Sequence, residues 1–369
     1  MRRLGFSLRG ACACVISTLV ACSCPGPARA QEQTWVEVEG VCYGAQPDER
    51  GPIGGGPGYR EMVVAGDFEA TDLETLIDCL ARAKPGQVVF IPGETEIDLT
   101  TFIYIEQFEL QIPQGVTLAG NRGYQGSAGA ILTSDALQTR VMIRALGPNV
   151  RVTGLRIRGP NSKRYLDHHR RAYGPNGKGP EYYYKFPVSD GIHSEFDGLI
   201  VDNCEISGFS LGGINLARGK GHHIHHCYIH HCQYQGLGYG VVLDEASALI
   251  ECNLFDWNRH SIAGTGRPGC SYVARNNVEL GVSLSHCFDM HGGRDRRDGT
   301  DIAGTRIEVY KNTFRAPETP VVIRGVPQGG CEVHHNWFLR HATPEAAVRA
   351  SDGTHVFDNA YGDPPRVIK

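Results

Sequence analysis

Three scarcities in this 369-residue chain each exclude a class of protein. After residue 30 no apolar run approaches the ~20 residues a membrane-spanning helix needs, so no membrane span is expected. None of the 13 cysteines forms a CxxC pair or another zinc-type spacing, which removes the usual sign of a structural metal. Positive charge is short as well: 36 Lys and Arg face 40 Asp and Glu, for a net charge of −4. Setting aside the four arginines of residues 1–30 takes it to −8, which excludes the broad basic surface of a general nucleic-acid binder. An anionic ligand must therefore meet a local cluster of positive groups.

Residues 1–30 read as an export signal. Arg2 and Arg3 precede an apolar stretch over residues 11–21, and Ala28-Arg29-Ala30 supplies an A-x-A cleavage site. Leu19-Val20-Ala21-Cys22 also matches a bacterial lipobox, which would make Cys22 a lipid anchor. The expected location is secreted or periplasmic, with an outer-membrane lipoprotein as the alternative. Cleavage after Ala30 leaves nine cysteines, so at least one thiol of a monomer stays unpaired. Cys42 and Cys79, both ahead of the repeats, form the expected disulfide.

What the chain has in quantity is a repeat. The pattern apolar, any, apolar, two of any, Asn or Cys, any, apolar is centred on Cys204, Cys227, Asn253, Asn276, Asn312, Asn336 and Asn359, with a degenerate copy at Leu155. These centres are 49, 23, 26, 23, 36, 24 and 23 residues apart, a basic period near 23. In the fourth copy the pattern reads Val273, Asn276 and Val278. A second short strand follows each centre, for example Gly213-Ile214-Asn215, Ser261-Ile262-Ala263 and Phe288-Asp289-Met290. Such short strands at this period fit an all-β solenoid whose coils stack on a shared apolar axis, with asparagines stacked at one inward turn. Residues 71–84 read as an amphipathic helix, with Thr71 as cap and Pro85-Gly86 as stop, that covers the open end. The expected domains are an extension over 31–70, the solenoid over 71–361 and a tail over 362–369.

The helix followed by PGQVVFIPGE, GVTLAGN and repeats such as VHHNWF resembles the right-handed parallel β-helix superfamily that includes pectate lyases. The resemblance covers roughly residues 66–361 and implies that fold. It also implies activity on acidic polysaccharides, chiefly by lyases and hydrolases, with epimerases and non-enzymes besides. The signatures of polygalacturonases and of the best-known pectate lyases are absent.

Candidate site residues follow from insertions and from which side chains face outward. The insertion over 160–187 mixes cations, Arg170 among them, with aromatics such as Tyr183, a combination that suits a sugar acid. The alternative is a solvated basic loop with its tyrosines packed on the coil below. A second insertion, GGRDRRDGTD over 292–301, carries Arg294 and Asp298 and directly follows Asp289 and His291, which share one face. Stacking places His193, Asn215, Asp244, Asp289, His291 and Ile323 on that outer face, with Ala263 and Gly264 leaving a gap between Asp244 and Asp289. His260, Arg267 and Arg324 border the gap. The histidines of His222-His223-Ile224-His225-His226 and His230-His231 occupy the polar positions of an ordinary coil, and a solvent-facing structural role is expected for them.

Two chemistries fit these groups. In β-elimination on a uronic-acid polysaccharide, His291 is the base, Arg267 or Arg324 neutralises the sugar carboxylate, and His260 or a loop tyrosine donates the proton. Asp244, Asp289 and Asp298 would alternatively assemble a Ca²⁺ site. The runner-up is an inverting glycoside hydrolase using Asp244 and Asp289, two coils apart. A binding protein or epimerase of polysaccharides is the third reading. The expected partner is an anionic polysaccharide, and the expected state a monomer.

Overall fold

A computed structural model describes residues 33–160, 163–234 and 236–368; the expected signal peptide and Cys22 lie outside them. The chain divides into Met1–Gln33 and Thr34–Lys369, and the second unit holds every strand and helix described below.

Each coil contributes three short parallel strands. In one coil these are Ile200–Asp202, Glu205–Ser207 and the start of Gly212–His225. Like strands pair from coil to coil, so inward side chains form three stacked rows. Val201, Ile224, Ile250, Ala274 and Val309 line the first column. Ile206, Ile229, Phe255, Glu279, Phe314 and Phe338 line the second. Ile192, Ile214, Val241, Ile262, Phe288 and Val321 line the third. All of these side chains are buried, and, Glu279 apart, that apolar burial is the driving force for stacking. The architecture is a parallel β-helix, as the repeat implies.

The turn from first to second column explains the Asn/Cys position. Asn253, Asn277, Asn312, Asn336 and Asn359 stack so that each Nδ2 donates to the next Oδ1 at 3.0 Å. The residue before each is left-handed, with φ of 52° at Asn276 and Lys311 and 55° at His335, which turns the chain sharply in one residue. Cys204 and Cys227 continue the column as buried substitutes, the Cys227 N–H donating to Asn253 Oδ1. One expectation shifts: Asn277, not Asn276, enters the column, because Tyr272 and Ala274 are the inward residues of their strand instead of Val273. Glu279 consequently points into the core where the repeat expects Val278.

Helix α1, Leu73–Arg82, is capped by Asp72 rather than Thr71 and buries Leu73, Leu76, Cys79 and Leu80 in the same core as Val89 and Leu110. The expected Cys42–Cys79 disulfide does not form, and all nine described cysteines are free. Tyr43, beside Cys42, packs on Trp337 and Ala360 of the last coils, whereas Cys79 lies beside Glu69 ahead of the first. From Tyr43 the chain runs along the corner between first and second columns. Its N–H groups donate to the His335 carbonyl, Thr313 and Asn203 in turn. The expected tail also differs, since Arg366–Ile368 pairs antiparallel with Asn359–Tyr361.

Candidate active site

Several of the candidate residues lie on the outer face of the third column. Its outward residues, coil by coil, are Arg144, His193, Asn215, Val242, Ala263, Asp289 and Val322. Val322 takes the place expected of Ile323, which points inward beside Met290. The two insertions flank this face: residues 160–187 lead into the third column, and residues 292–301 leave it.

Asp289 is outward yet fully buried, because side chains close over it. His286 Nε2 lies 3.1 Å from its Oδ1 and His291 Nε2 2.9 Å from its Oδ2. Arg324, from the next coil, donates Nε to Oδ1 at 3.0 Å and Nη2 to Oδ2. Burial pushes the carboxyl pKa up, but the close His286 and His291 rings and the bonded Arg324 overcome it and hold Asp289 well below the usual carboxylate range. Asp289 is therefore a fixed anion that orients its neighbours. Arg324 turns its remaining Nη1 to Asp295, 3.1 Å away. The backbone is correspondingly tight: a Cβ at Gly266 would fall 1.7 Å from the His291 carbonyl oxygen, and one at Gly292 2.0 Å from that of Arg324.

His291 is the histidine of this cluster most open to a ligand. Its side chain is 25% exposed while Nε2 is buried against Asp289, so the rest of the ring carries the exposure. His260 is fully buried, its Nδ1 2.5 Å from the His286 carbonyl oxygen and its Nε2 3.8 Å from Asp289. Burial, aided by Arg259 and His286, pulls its pKa well below the ordinary value. A neutral His260 beneath the surface supports the cluster; it cannot serve as the proton donor to a sugar that its position in the sequence suggests.

The remaining candidates disperse. Asp244 accepts from Thr265 at 2.6 Å and from Arg267 at 2.9 Å, so Arg267 serves Asp244 and not the gap. Asp298 accepts from Thr300 and Arg296, and the Thr300 bonds bring its pKa to about 2. Asp244, Asp289 and Asp298 thus each spend their oxygens on separate partners and do not converge on one cation. Arg294 is 86% exposed, 3.8 Å from Asp301. In the first insertion, Arg170 lies on a helix over Lys163–Tyr173 and pairs with Asp167. Tyr183, at the end of a short helix over Gly179–Tyr183, is buried and stacks on Tyr234 at 4.7 Å, so its aromatics pack on the coil below.

Among the described residues two groups have metal-ligand composition: His260, His286 and Asp289, and Asp48, His226 and Cys252. In the first, Arg324 already bonds both carboxylate oxygens, so a cation would face a fixed positive charge. In the second, Arg50 has the same effect, bridging Asp48 to Glu251. The histidine string around it is only partly solvent-facing: His223, His230 and His231 keep some exposure, while the rest depart from expectation. His222, His225 and His226 are buried, and His222 accepts from the Leu199 N–H while its Nε2 contacts the Arg218 carbonyl. The N-terminal segment covers this corner, which the repeat alone does not reveal.

A second cluster stands four coils toward the N-terminus. Asp190 accepts from Asn215 at 2.7 Å, lies 3.4 Å from His193 Nδ1, and leaves Oδ1 buried without a partner. Burial raises its pKa despite those bonds. Burial lowers that of His193, but Asp190 and Glu195 outweigh it and leave it raised. Sequence reasoning finds His193 and Asn215 here but misses Asp190, and at the other site it misses His286 and Asp295. His286 lies three residues before Asp289 in Ser285-His286-Cys287, a spacing that marks it only once the strand start is known.

No family model matches the chain, and no curated protein matches it. Among solved structures it is similar to the Dettilon tailspike protein, at 14% identity and a TM-score of 0.45, over 78% of this chain and 57% of that one. An alginate lyase from Paenibacillus sp. str. FPU-7 aligns at 13% identity and a TM-score of 0.36, over 80% and 97%. The family 28 exopolygalacturonase of Yersinia enterocolitica aligns at 11% and 0.41, over 82% and 63%. The chain thus spans less than two thirds of the tailspike and of the exopolygalacturonase.

Proposed function

We propose that this protein cleaves a uronic-acid polysaccharide by β-elimination at Asp289, His291 and Arg324. One observation carries the proposal: a buried, ionised carboxylate binds an open histidine and an arginine side by side on the outer face. His291 takes the C5 proton, the freed pair forms the C4–C5 double bond, and the C4–oxygen bond breaks. The departing oxygen takes its proton from the His291 imidazolium or from water. Arg324 meets the uronate carboxylate in place of Asp295, offsetting the charge that builds as C5 loses its proton. Asp289 positions both groups and stays ionised throughout.

Inverting hydrolysis is less well served. It needs an acid that can give up a proton, and Asp289 is held as an anion while Asp244 is engaged by Thr265 and Arg267. Incubation with a panel of polyuronates, following ultraviolet absorbance and reducing ends together, tests the reading. Elimination raises both, whereas reducing ends without absorbance would refute it.

A further inference from the structure

The outer face of the third column changes character away from Asp289. Toward the N-terminus the small floor of Ala263 and Val242 gives way to Asn215, His193 and Arg144. At that end, on the side where the chain enters the column, a cavity of about 450 Å³ opens between helix α2, Thr100–Glu106, and the helix over Lys163–Tyr173. Tyr104, Phe108 and Leu137 wall it, and Arg140 stands at its edge. Tyr104 is 81% exposed, and Arg140 is exposed with no ion pair among the described residues. A second cavity of about 480 Å³ lies on the other side of Phe108 and reaches Gln111, whose strand pairs with that of Arg144. The second cavity therefore adjoins the N-terminal end of the outward row, and the first shares Gln107 and Phe108 with it.

A concave, mostly apolar wall with one free guanidinium suits a sugar acid, whose ring faces are apolar and whose carboxylate takes a planar cation. From the coil of Arg144 to that of Asp289 is five steps, about 24 Å at the ~4.8 Å strand spacing. A pyranose residue is about as long as one step. We propose that the Tyr104–Arg140 cavity binds a uronate residue of the polysaccharide about five sugars from the bond cleaved. This rests on the elimination reading and adds the requirement for a long chain.

The test is the Tyr104→Ala, Arg140→Gln double variant, whose two side chains are exposed, compared with wild type on uronate oligosaccharides shorter and longer than the five-coil span. KM for the long oligomer should rise about ten-fold with kcat unchanged, and neither constant should move on the short one. An unchanged KM on the long oligomer, with cleavage intact, overturns the cavity alone. Calorimetric titration in a His291→Ala background separates the two ideas, because no turnover is needed. If the double variant weakens long-oligomer binding about ten-fold there, while the parent protein cuts no polyuronate, the cavity stands and elimination falls. Absence of binding to either oligomer overturns the cavity as well.

Discussion

Asp289 and Asp190 lie four coils apart along the third column, each buried and each beside a histidine, yet their pKa values are pushed in opposite directions. Asp289 sits among His286, His291 and, from the next coil, Arg324, which together hold its pKa down; Asp190 has only His193 and Asn215, and burial still pushes its pKa up. Glu279 extends the series inward. It is fully buried in the second column with neither oxygen hydrogen-bonded, and burial, only partly relieved by Ser261, brings its pKa to about 8. Burial is common to all three, so the partners gathered around each carboxyl decide how far its pKa moves and in which direction. A solenoid makes that choice locally, because changing one outward residue changes the next coil's site and leaves the stacking intact.

The largest effect expected is at the Asp289 end. His291→Ala should lower kcat by roughly 10²–10⁴-fold, the usual worth of a general base, with the melting temperature nearly unchanged. Wild-type turnover in this variant would break the distinction drawn between the two outer clusters.

Glu279 offers the next. An acid with a raised folded pKa contributes most below its unfolded value, 4.5, and loses that contribution as pH rises through about 8. Stability should fall by about 1.4 kcal/mol per pH unit across that window. Glu279→Gln should flatten the profile, measured by denaturant unfolding at each pH. A profile as steep in the variant as in wild type would show the slope to come from elsewhere.

Asn215→Arg would give Asp190 the neighbour that Asp289 has. The Asp190 pKa should drop, followed by carboxyl NMR titration, and a pKa that stays raised would deny that the neighbouring groups set it. The smallest effect concerns Arg324. Asp295→Asn should lower KM for a polyuronate about three-fold by releasing Nη1, with kcat kept, and a raised KM would place the sugar carboxylate elsewhere.

The solenoid is legible in the sequence because stacking forces a periodic pattern, and the outward row from His193 to Asp289 follows from alternation. Asn276 is misplaced by one residue because two asparagines adjoin, and only the buried ring of Tyr272 selects between them. That slip also hides Glu279. At the site, Asp289, His291 and Arg324 are readable, since two share a strand face and the third lies one coil on. Asp244 and Asp298 join them on paper because carboxylates look alike in sequence, while their capture by Thr265, Arg267, Thr300 and Arg296 depends on loop geometry. Tyr183, His225 and His226 lie inside because other segments cover them, namely the helix over Lys163–Tyr173 for the tyrosine and the N-terminal segment for the two histidines.

The most direct test of the central claim is to follow the ultraviolet absorbance of an unsaturated uronate end as the wild-type protein and its His291→Ala variant act on polyuronates. Absorbance and reducing ends should rise together with wild type, and both should slow by roughly 10²–10⁴-fold with the variant. Reducing ends that appear without absorbance, or absorbance that rises at the wild-type rate without the imidazole, would contradict elimination by His291.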